Sequence, residues 1–131
     1  MKVTFKRGIP GLEGLRNFNI DDIKGNEIFK LISSQEESIS FVAVSPFDFY
    51  SEYELNLNEE TIKDLEIEES RDVLVLNIVT LGKSLESSTV NLKAPIVINI
   101  KNNLAKQYIM QNDMYDTKHP LIRREQNVGN Y

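Results

Sequence analysis

A chain of 131 residues can enclose one hydrophobic core but not two, so a single domain is expected. With 40% apolar and 27% charged residues it has the composition of a folded globular protein, which excludes fibrous and disordered classes. The absence of cysteine removes disulfides, thiolate metal sites and cysteine nucleophiles together, and points to a cytoplasmic setting. A single histidine, His119, leaves no multi-histidine metal site within one chain.

The net charge of −5 is unevenly spread. Residues 48–72 hold ten acids against Lys63 and Arg71, a local −8, whereas residues 93–131 carry a local +3. A chain of this sign attracts phosphate poorly, because phosphate contacts need clustered Lys and Arg. The acidic stretch reads either as a solvated face or as a docking face for a basic partner. The longest apolar runs, residues 73–76 and 94–98, are far too short to span a bilayer. Residues 1–14 meet Gly-Ile-Pro-Gly where a secretory signal would have its apolar stretch.

Lys2-Val3-Thr4-Phe5-Lys6 alternates polar and apolar side chains and is the first predicted strand. Gly8-Ile9-Pro10-Gly11-Leu12 follows as a turn, with Ile9, Pro10 and Leu12 as candidate partner contacts. Residues 27–33 and 39–44 are β-rich runs on either side of Ser34-Gln35-Glu36-Glu37-Ser38, which predicts an antiparallel hairpin. Ser45-Pro46 ends the second strand, since proline donates nothing to a ladder.

Pro46-Phe47-Asp48-Phe49-Tyr50 then sets three aromatics within four residues. Two readings are open. In one, Phe47 and Phe49 plug a barrel corner with Tyr50 on the rim. Alternatively Phe47, Asp48 and Tyr50 form an aromatic anchor beside an acidic rim, the composition favoured at protein interfaces. Residues 49–57 alternate and predict a half-buried strand. Asn58 can cap a short helix over residues 59–65, with glutamates in its first turn and Ile62 and Leu65 on one face as a lid.

Residues 72–81 form the strongest predicted strand, and its near-continuous apolarity implies that both faces are covered. Residues 88–92, 96–100 and 105–110 are further strands, the last two joined at Asn102-Asn103, which tolerates positive φ. From Gln111 the chain is polar and basic. The domain is expected over residues 1–122, with 123–131 as a flexible tail. These elements predict a mostly β fold: a compact antiparallel β-barrel-like or sandwich domain with one short helix. An open sheet with the helix on one face is the alternative.

Signatures of catalysis and of cofactor binding are absent from the sequence. Gly8-Ile9-Pro10-Gly11 is too short for a phosphate loop and lacks its lysine. His119 precedes Pro120 in the polar tail, a poor place for a general base that must be held within hydrogen-bond reach. The adjacent pairs Glu59-Glu60 and Glu68-Glu69 should point apart, and no calcium-loop spacing occurs. Lys101, Lys106, Lys118, Arg123 and Arg124 make the C-terminal third weakly basic, but without the dense basic-aromatic pattern of single-strand binders. The residues point to a binding protein with no cofactor rather than an enzyme. A small β-barrel ligand-binding domain or an RNA-binding domain is the alternative, and Val75, Ile78, Ile96 and Ile98 speak for a filled barrel interior.

Four blocks carry a resemblance. Gly8-Ile9-Pro10-Gly11-Leu12-Glu13, Ser45-Pro46-Phe47 with Tyr53-Glu54-Leu55, Asn91-Leu92-Lys93-Ala94-Pro95-Ile96-Val97-Ile98-Asn99 and Lys118-His119-Pro120-Leu121 resemble successive blocks of the FliW family. They keep the family's order and spacing over nearly the whole chain, and Asn-Leu-x-Ala-Pro-Ile is the most specific. The family often has Phe at the position of Leu12 and Asn at that of Ser45. The segment before the glycine-proline turn is shorter here than in many members, which leaves the pairing of the first strand open.

The resemblance implies a compact β-barrel-like fold and a cytoplasmic, non-enzymatic protein that binds two partners. One is CsrA, an RNA-binding translational repressor that such a protein sequesters. The other is flagellin, bound in a chaperone-like manner and in competition, so that flagellin synthesis is coupled to assembly. No direct contact with nucleic acid or membrane is implied. The partner-binding residues expected from composition and motif position are Ile9, Pro10, Leu12, Phe47, Asp48, Tyr50, Glu66, Glu68 and Glu69. The three glutamates belong to the acidic stretch, which complements the basic surface of an RNA-gripping repressor.

Overall fold

The computed structural model describes residues 1–123. Nine strands and one short helix succeed one another: β1 (Lys2–Phe5), β2 (Asn17–Ile23), β3 (Asn26–Ser34), β4 (Ser40–Val44), α1 (Glu59–Asp64), β5 (Val73–Thr80), β6 (Thr89–Val90), β7 (Ile96–Asn99), β8 (Leu104–Gln107) and β9 (His119–Pro120). The sheet order is β4-β3-β2-β1-β8-β7-β5, and β5 pairs back onto β4. Seven strands therefore close into a barrel, and closure removes the unpaired edges that an open sheet would expose. The expected mostly β barrel with one short helix is present. The pairing is antiparallel except at β1 and β8, which run parallel through Thr4–Leu104 and Phe5–Ala105.

Closure depends on the length of β5. Its first half pairs with β7 (Val73–Asn99 to Leu76–Ile96). Its second half pairs with β4 on the other edge (Val42–Val79 to Val44–Asn77) and with β6 beyond β7. The period-2 alternation of a strand then divides its side chains. Leu74, Leu76 and Ile78 point into the barrel with Phe5, Phe18, Ile20, Ile32, Ile96 and Ile98. Phe5 and Phe18 meet edge to face there, with centroids 5.2 Å apart. These side chains fill the interior that a ligand-binding barrel would leave open.

Val73 and Val79 face outward with Val97 of β7 into a second apolar cluster. Val75 points the same way rather than into the barrel: it lines an outer hollow described below. The two-sided burial expected of this strand is thus present, and it requires a cover.

That cover is irregular chain, and here the sequence reading needs correction. Residues 49–57 form no strand. Their alternation arises because Tyr53, Leu55 and Leu57 drape over the outer cluster while Glu54 and Asn56 face solvent. Outside a ladder, backbone carbonyls need other donors, and tyrosines supply several. The Tyr53 hydroxyl donates to the Leu92 carbonyl at 2.6 Å, Tyr50 to Pro120 at 2.6 Å and Tyr108 to Asn56 at 3.1 Å. The Tyr115 hydroxyl accepts the Glu54 N–H at 3.0 Å. Burial pushes the Tyr53 hydroxyl up to about 12, so it stays a donor at neutral pH.

The Asn91-Leu92-Lys93-Ala94-Pro95 block organises the turn that receives these contacts. Asn91 Oδ1 accepts the N–H groups of Lys93 and Ala94 at 3.1 and 3.0 Å, and its carbonyl accepts from Asn77 Nδ2 at 2.6 Å. The block's specificity is structural. Likewise the polar segment after Gln111 is anchored rather than loose up to Arg123. β9 pairs with β6, Leu121 is fully buried, and His119 Nε2 accepts the Asp116 N–H at 2.7 Å beside Tyr50 and Tyr115. His119 is a turn-packing residue in this arrangement. Arg123 pairs with Glu52 and lies 4.4 Å over the Tyr50 ring. The rest of the expected tail, residues 124–131, lies outside the described residues.

Two strands escape the sequence reading. β2 carries polar Asn17, Asn19, Asp21 and Asp22 on its solvent side, with a register shift at Asp22, which blurs its pattern. β9 is two residues long and contains a proline. β1, whose pairing the sequence leaves open, finds β2 on one side and β8 on the other.

The turn after β1 explains its glycines. Pro10 and Gly11 are the central pair of a tight turn closed by the Leu12 N–H on the Ile9 carbonyl (2.7 Å), and Gly11 has φ 87°. Gly8 has φ 72°, and a Cβ there would stand 2.7 Å from the Glu13 backbone, whereas one on Gly11 meets nothing within 4 Å. Arg7, next to this turn, clasps α1: its guanidinium donates to both Asp64 oxygens at 2.9 and 3.1 Å, and Lys106 Nζ adds a third bond at 3.3 Å. The Arg7 hydrogen bond, followed by Lys106, holds the Asp64 carboxyl down to about 2.

Two predictions come from this frame. Gly8→Ala combines backbone strain with a steric clash and should cost about 2–4 kcal/mol, against about 1 kcal/mol for Gly11→Ala, as read by urea denaturation. Because the folded-state pKa of Asp64 is depressed, its stabilisation is complete above the ordinary value of 3.8 and is lost as pH falls toward about 2. Asp64→Asn should therefore be less stable than the parent at neutral pH, and the gap should close across that acid window.

Candidate functional site

The chain from Ser45 to Asp72 builds the surface of interest. Pro46 starts a 3-10 turn, Pro46–Asp48, with its fixed φ suited to the first position. The turn buries Pro46 and leaves Phe47 48% exposed, its ring edge-on to Tyr53 at 5.8 Å. After residues 49–57, Asn58 Oδ1 accepts the Thr61 N–H at 2.9 Å and caps α1 as the sequence predicts. The helix buries Thr61 and Leu65, four residues apart, and leaves Ile62 39% exposed. Ile62 and Leu65 therefore do not share the covered face.

The end of α1 is unusual. The Glu66 N–H bonds to the Lys63 carbonyl at 3.1 Å and the Ile67 N–H to the Ile62 carbonyl at 2.9 Å. This is the Schellman arrangement, in which the first residue past the cap takes a left-handed conformation usually given to glycine. Here it is Glu66, at φ 56°. Asn99, buried at the end of β7, donates to the carbonyls of Leu65 and Glu66 at the helix end at 2.8 and 3.1 Å, and Asn102 adds a bond to Leu65 at 3.1 Å.

Two shallow hollows flank α1. One, of about 640 Å³, lies between α1 and the outer face of β5 and is lined by Phe47, Tyr53, Leu55, Leu57, Ile67 and Val75 among others. The other, of about 760 Å³, lies toward the β7–β8 turn, with Glu59, Glu66, Lys63, Asn99, Lys101 and Asn102. Ile62, Ile67 and Glu68 line both, so the hollows form one continuous groove with an apolar floor at one end and an acidic rim at the other.

Internal pairing sorts the acids of this stretch. Asp64 and Glu60 face Arg7 and Lys106, Glu52 faces Arg123, Asp72 lies 3.7 Å from Lys101, and Glu69 pairs with Arg71. Asp48, Glu54, Glu59, Glu66 and Glu68 have no ion pair among the described residues. The adjacent pairs do point apart: Glu59 and Glu68 line the groove, while Glu60 and Glu69 turn to basic neighbours. The same pairing occupies Lys101, Lys106 and Arg123, three of the bases that made the C-terminal third look basic.

The structure brings Phe47, Glu66 and Glu68 of the sequence candidates to this groove, with Asp48 exposed beside Phe47. It does not bring the others. Ile9 is buried among the barrel-interior residues, and Tyr50 is buried with its hydroxyl on Pro120, so neither is available to a partner in this state. Pro10 and Leu12, exposed and half-buried, belong to the turn after β1 and line neither hollow. Glu69 is exposed but paired.

Sequence reasoning missed Glu59, Ile62 and Ile67. The available signal was the five-residue spacing of Ile62 and Ile67 across a helix end, the apolar pair that accompanies a Schellman motif. Among the described residues no three His, Asp or Glu side chains converge to hold a metal ion, and no helix is long and apolar enough to cross a membrane.

Known proteins resemble this chain over nearly its whole length. The family described as FliW protein matches residues 1–121. The flagellar assembly factor FliW of Clostridioides difficile is 49% identical over 124 residues, covering 94% of this chain and 95% of that protein. Its counterpart in Clostridium novyi is 48% identical over 122 residues, covering 92% and 85%. A solved crystal structure of the flagellar assembly factor FliW superposes with a TM-score of 0.90 at 33% identity, over 95% of this chain and 88% of that one. With its barrel, its Asn-Leu-x-Ala-Pro-Ile turn and these relatives in agreement, the chain belongs to the FliW family of flagellar assembly factors.

Proposed function

We propose that this flagellar assembly factor works in the cytoplasm by occupying two protein partners. It binds and antagonises the translational repressor CsrA, and it binds flagellin as a chaperone-like partner in competition. Free flagellin then releases the repressor, and flagellin synthesis follows assembly. The observation that carries the reading is the groove beside α1, where unpaired Glu59, Glu66 and Glu68 form a rim next to an apolar floor with exposed Phe47 and Ile62.

A repressor that grips RNA must present Lys and Arg to phosphates. Carboxylates without internal partners complement such a surface, raise the encounter rate and fix orientation. Seated beside an RNA site, the same charges repel phosphate without filling the site. Direct RNA binding by this chain is disfavoured by its sign and by the internal pairing of Lys101, Lys106 and Arg123.

The test is a competition titration with purified repressor and flagellin. The chain should bind each alone, flagellin should displace the repressor, and repressor affinity should fall by about tenfold or more as salt rises from low to physiological levels. Binding to neither partner, or simultaneous binding of both without mutual effect, would contradict the proposal.

A further inference from the structure

We infer that the groove between α1 and the outer face of β5 seats a partner segment carrying apolar anchors and a Lys or Arg, and that Glu66 receives that cation from a conformation unfavourable to glutamate. The inference rests on the proposed function for its probe and goes beyond it in naming a receptor and a specificity residue.

The floor argues first. Single exposed apolar side chains need no explanation, but a concave cluster does. Phe47 and Ile62 are 48% and 39% exposed, and they meet Ile67 and Val75 in one hollow. A rigid backing supports them, since Tyr53 beneath Phe47 is fixed by its bond to Leu92. Such a floor accepts the apolar face of an inserted segment.

Charge then selects the occupant. Glu59, Glu66 and Glu68 line the groove without ion pairs among the described residues, against Lys63; the other lining base, Lys101, faces Asp72. An apolar segment flanked by acids would be repelled from this rim, and one flanked by Lys or Arg would be held.

Glu66 supplies a separate argument. Its φ of 56° is a left-handed conformation that glycine or asparagine adopts readily and glutamate does not. The helix end would form at least as well with glycine there. A carboxylate at that position lowers stability and adds a charge to the rim, in the hollow that Ile62 and Ile67 also line, where the occupant's cation would lie.

Titration calorimetry of the full chain with the purified RNA-binding repressor, at low and at physiological salt, tests this together with thermal melting. Glu66→Gly and Glu66→Asn should raise Tm by about 3 °C while weakening repressor affinity about tenfold and flattening its salt dependence. Ile62→Gln should weaken affinity by a similar factor and leave the salt dependence unchanged. Glu86→Gln, exposed and outside the groove, should change neither quantity.

Full repressor affinity in Glu66→Gly and Ile62→Gln would overturn the inference while the proposed function stood. A lower Tm in Glu66→Gly would overturn its conformational part. Loss of flagellin affinity alone in these variants would assign the groove to the other partner and overturn the choice of occupant. If the parent chain bound no repressor at all, both the function and the inference would fall.

Discussion

The two-sided burial of β5 and β7 is the constraint from which the rest of the molecule takes its form. Inward side chains such as Leu76, Ile96 and Ile98 pack the barrel, while Val73, Val79 and Val97 on the opposite face would expose apolar surface unless something covered them. The covering chain has no strand partner of its own. The Asn56 carbonyl and the Glu54 amide are met instead by the hydroxyls of Tyr108 and Tyr115, and the carbonyls at the helix end by Asn99 and Asn102. An unpaired buried polar group costs about 1–3 kcal/mol, so these side chains decide whether an irregular cover can lie on the barrel at all. The result is a loop segment with a defined shape, able to present Phe47 and Ile62 outward without collapsing onto them.

Charge is arranged on this cover in a way that stability does not explain. Exposed ion pairs contribute little, about 0–1 kcal/mol each, and a stretch with a local −8 repels itself. Four of its ten acids nevertheless find bases on other elements: Arg7 and Lys106 at Asp64 and Glu60, Lys101 at Asp72, Arg123 at Glu52. Those pairs tie the cover to the turn after β1, to the β7–β8 turn and β8, and to the C-terminal segment. The acids left over include Glu59, Glu66 and Glu68 beside the apolar groove. The internal pairing thus separates the acidic stretch into a structural part and a presented part, and only the second can act on a partner.

Much of the frame was legible in the sequence because its signals are local. The apolar run of β5, the hairpin of β3 and β4, the Asn58 cap and the Asn102-Asn103 turn each depend on residues adjacent in the chain. Asn103 takes φ 60° as that turn requires. Residues 49–57 misled because alternation alone does not distinguish a ladder from a chain draped over a core. The groove was only partly visible: Glu66 and Glu68 stood out by charge and Phe47 by its neighbours, but Ile62 was assigned to the covered face. Ile9 and Tyr50 looked available for the opposite reason. Their burial is set by the far side of the barrel interior and by Pro120, contacts that span 70 residues in the case of Tyr50.

Amide hydrogen exchange of the chain with and without the repressor tests the central claim most directly, since it reports which backbone segments a partner covers. The claim is that the irregular cover, and not the barrel wall, carries the partner surface. Protection on binding should concentrate in residues 46–48 and 59–68, with β2 and β3 unchanged. Protection confined to the β2–β3 wall, with the α1 segment exchanging as freely as before, would contradict it.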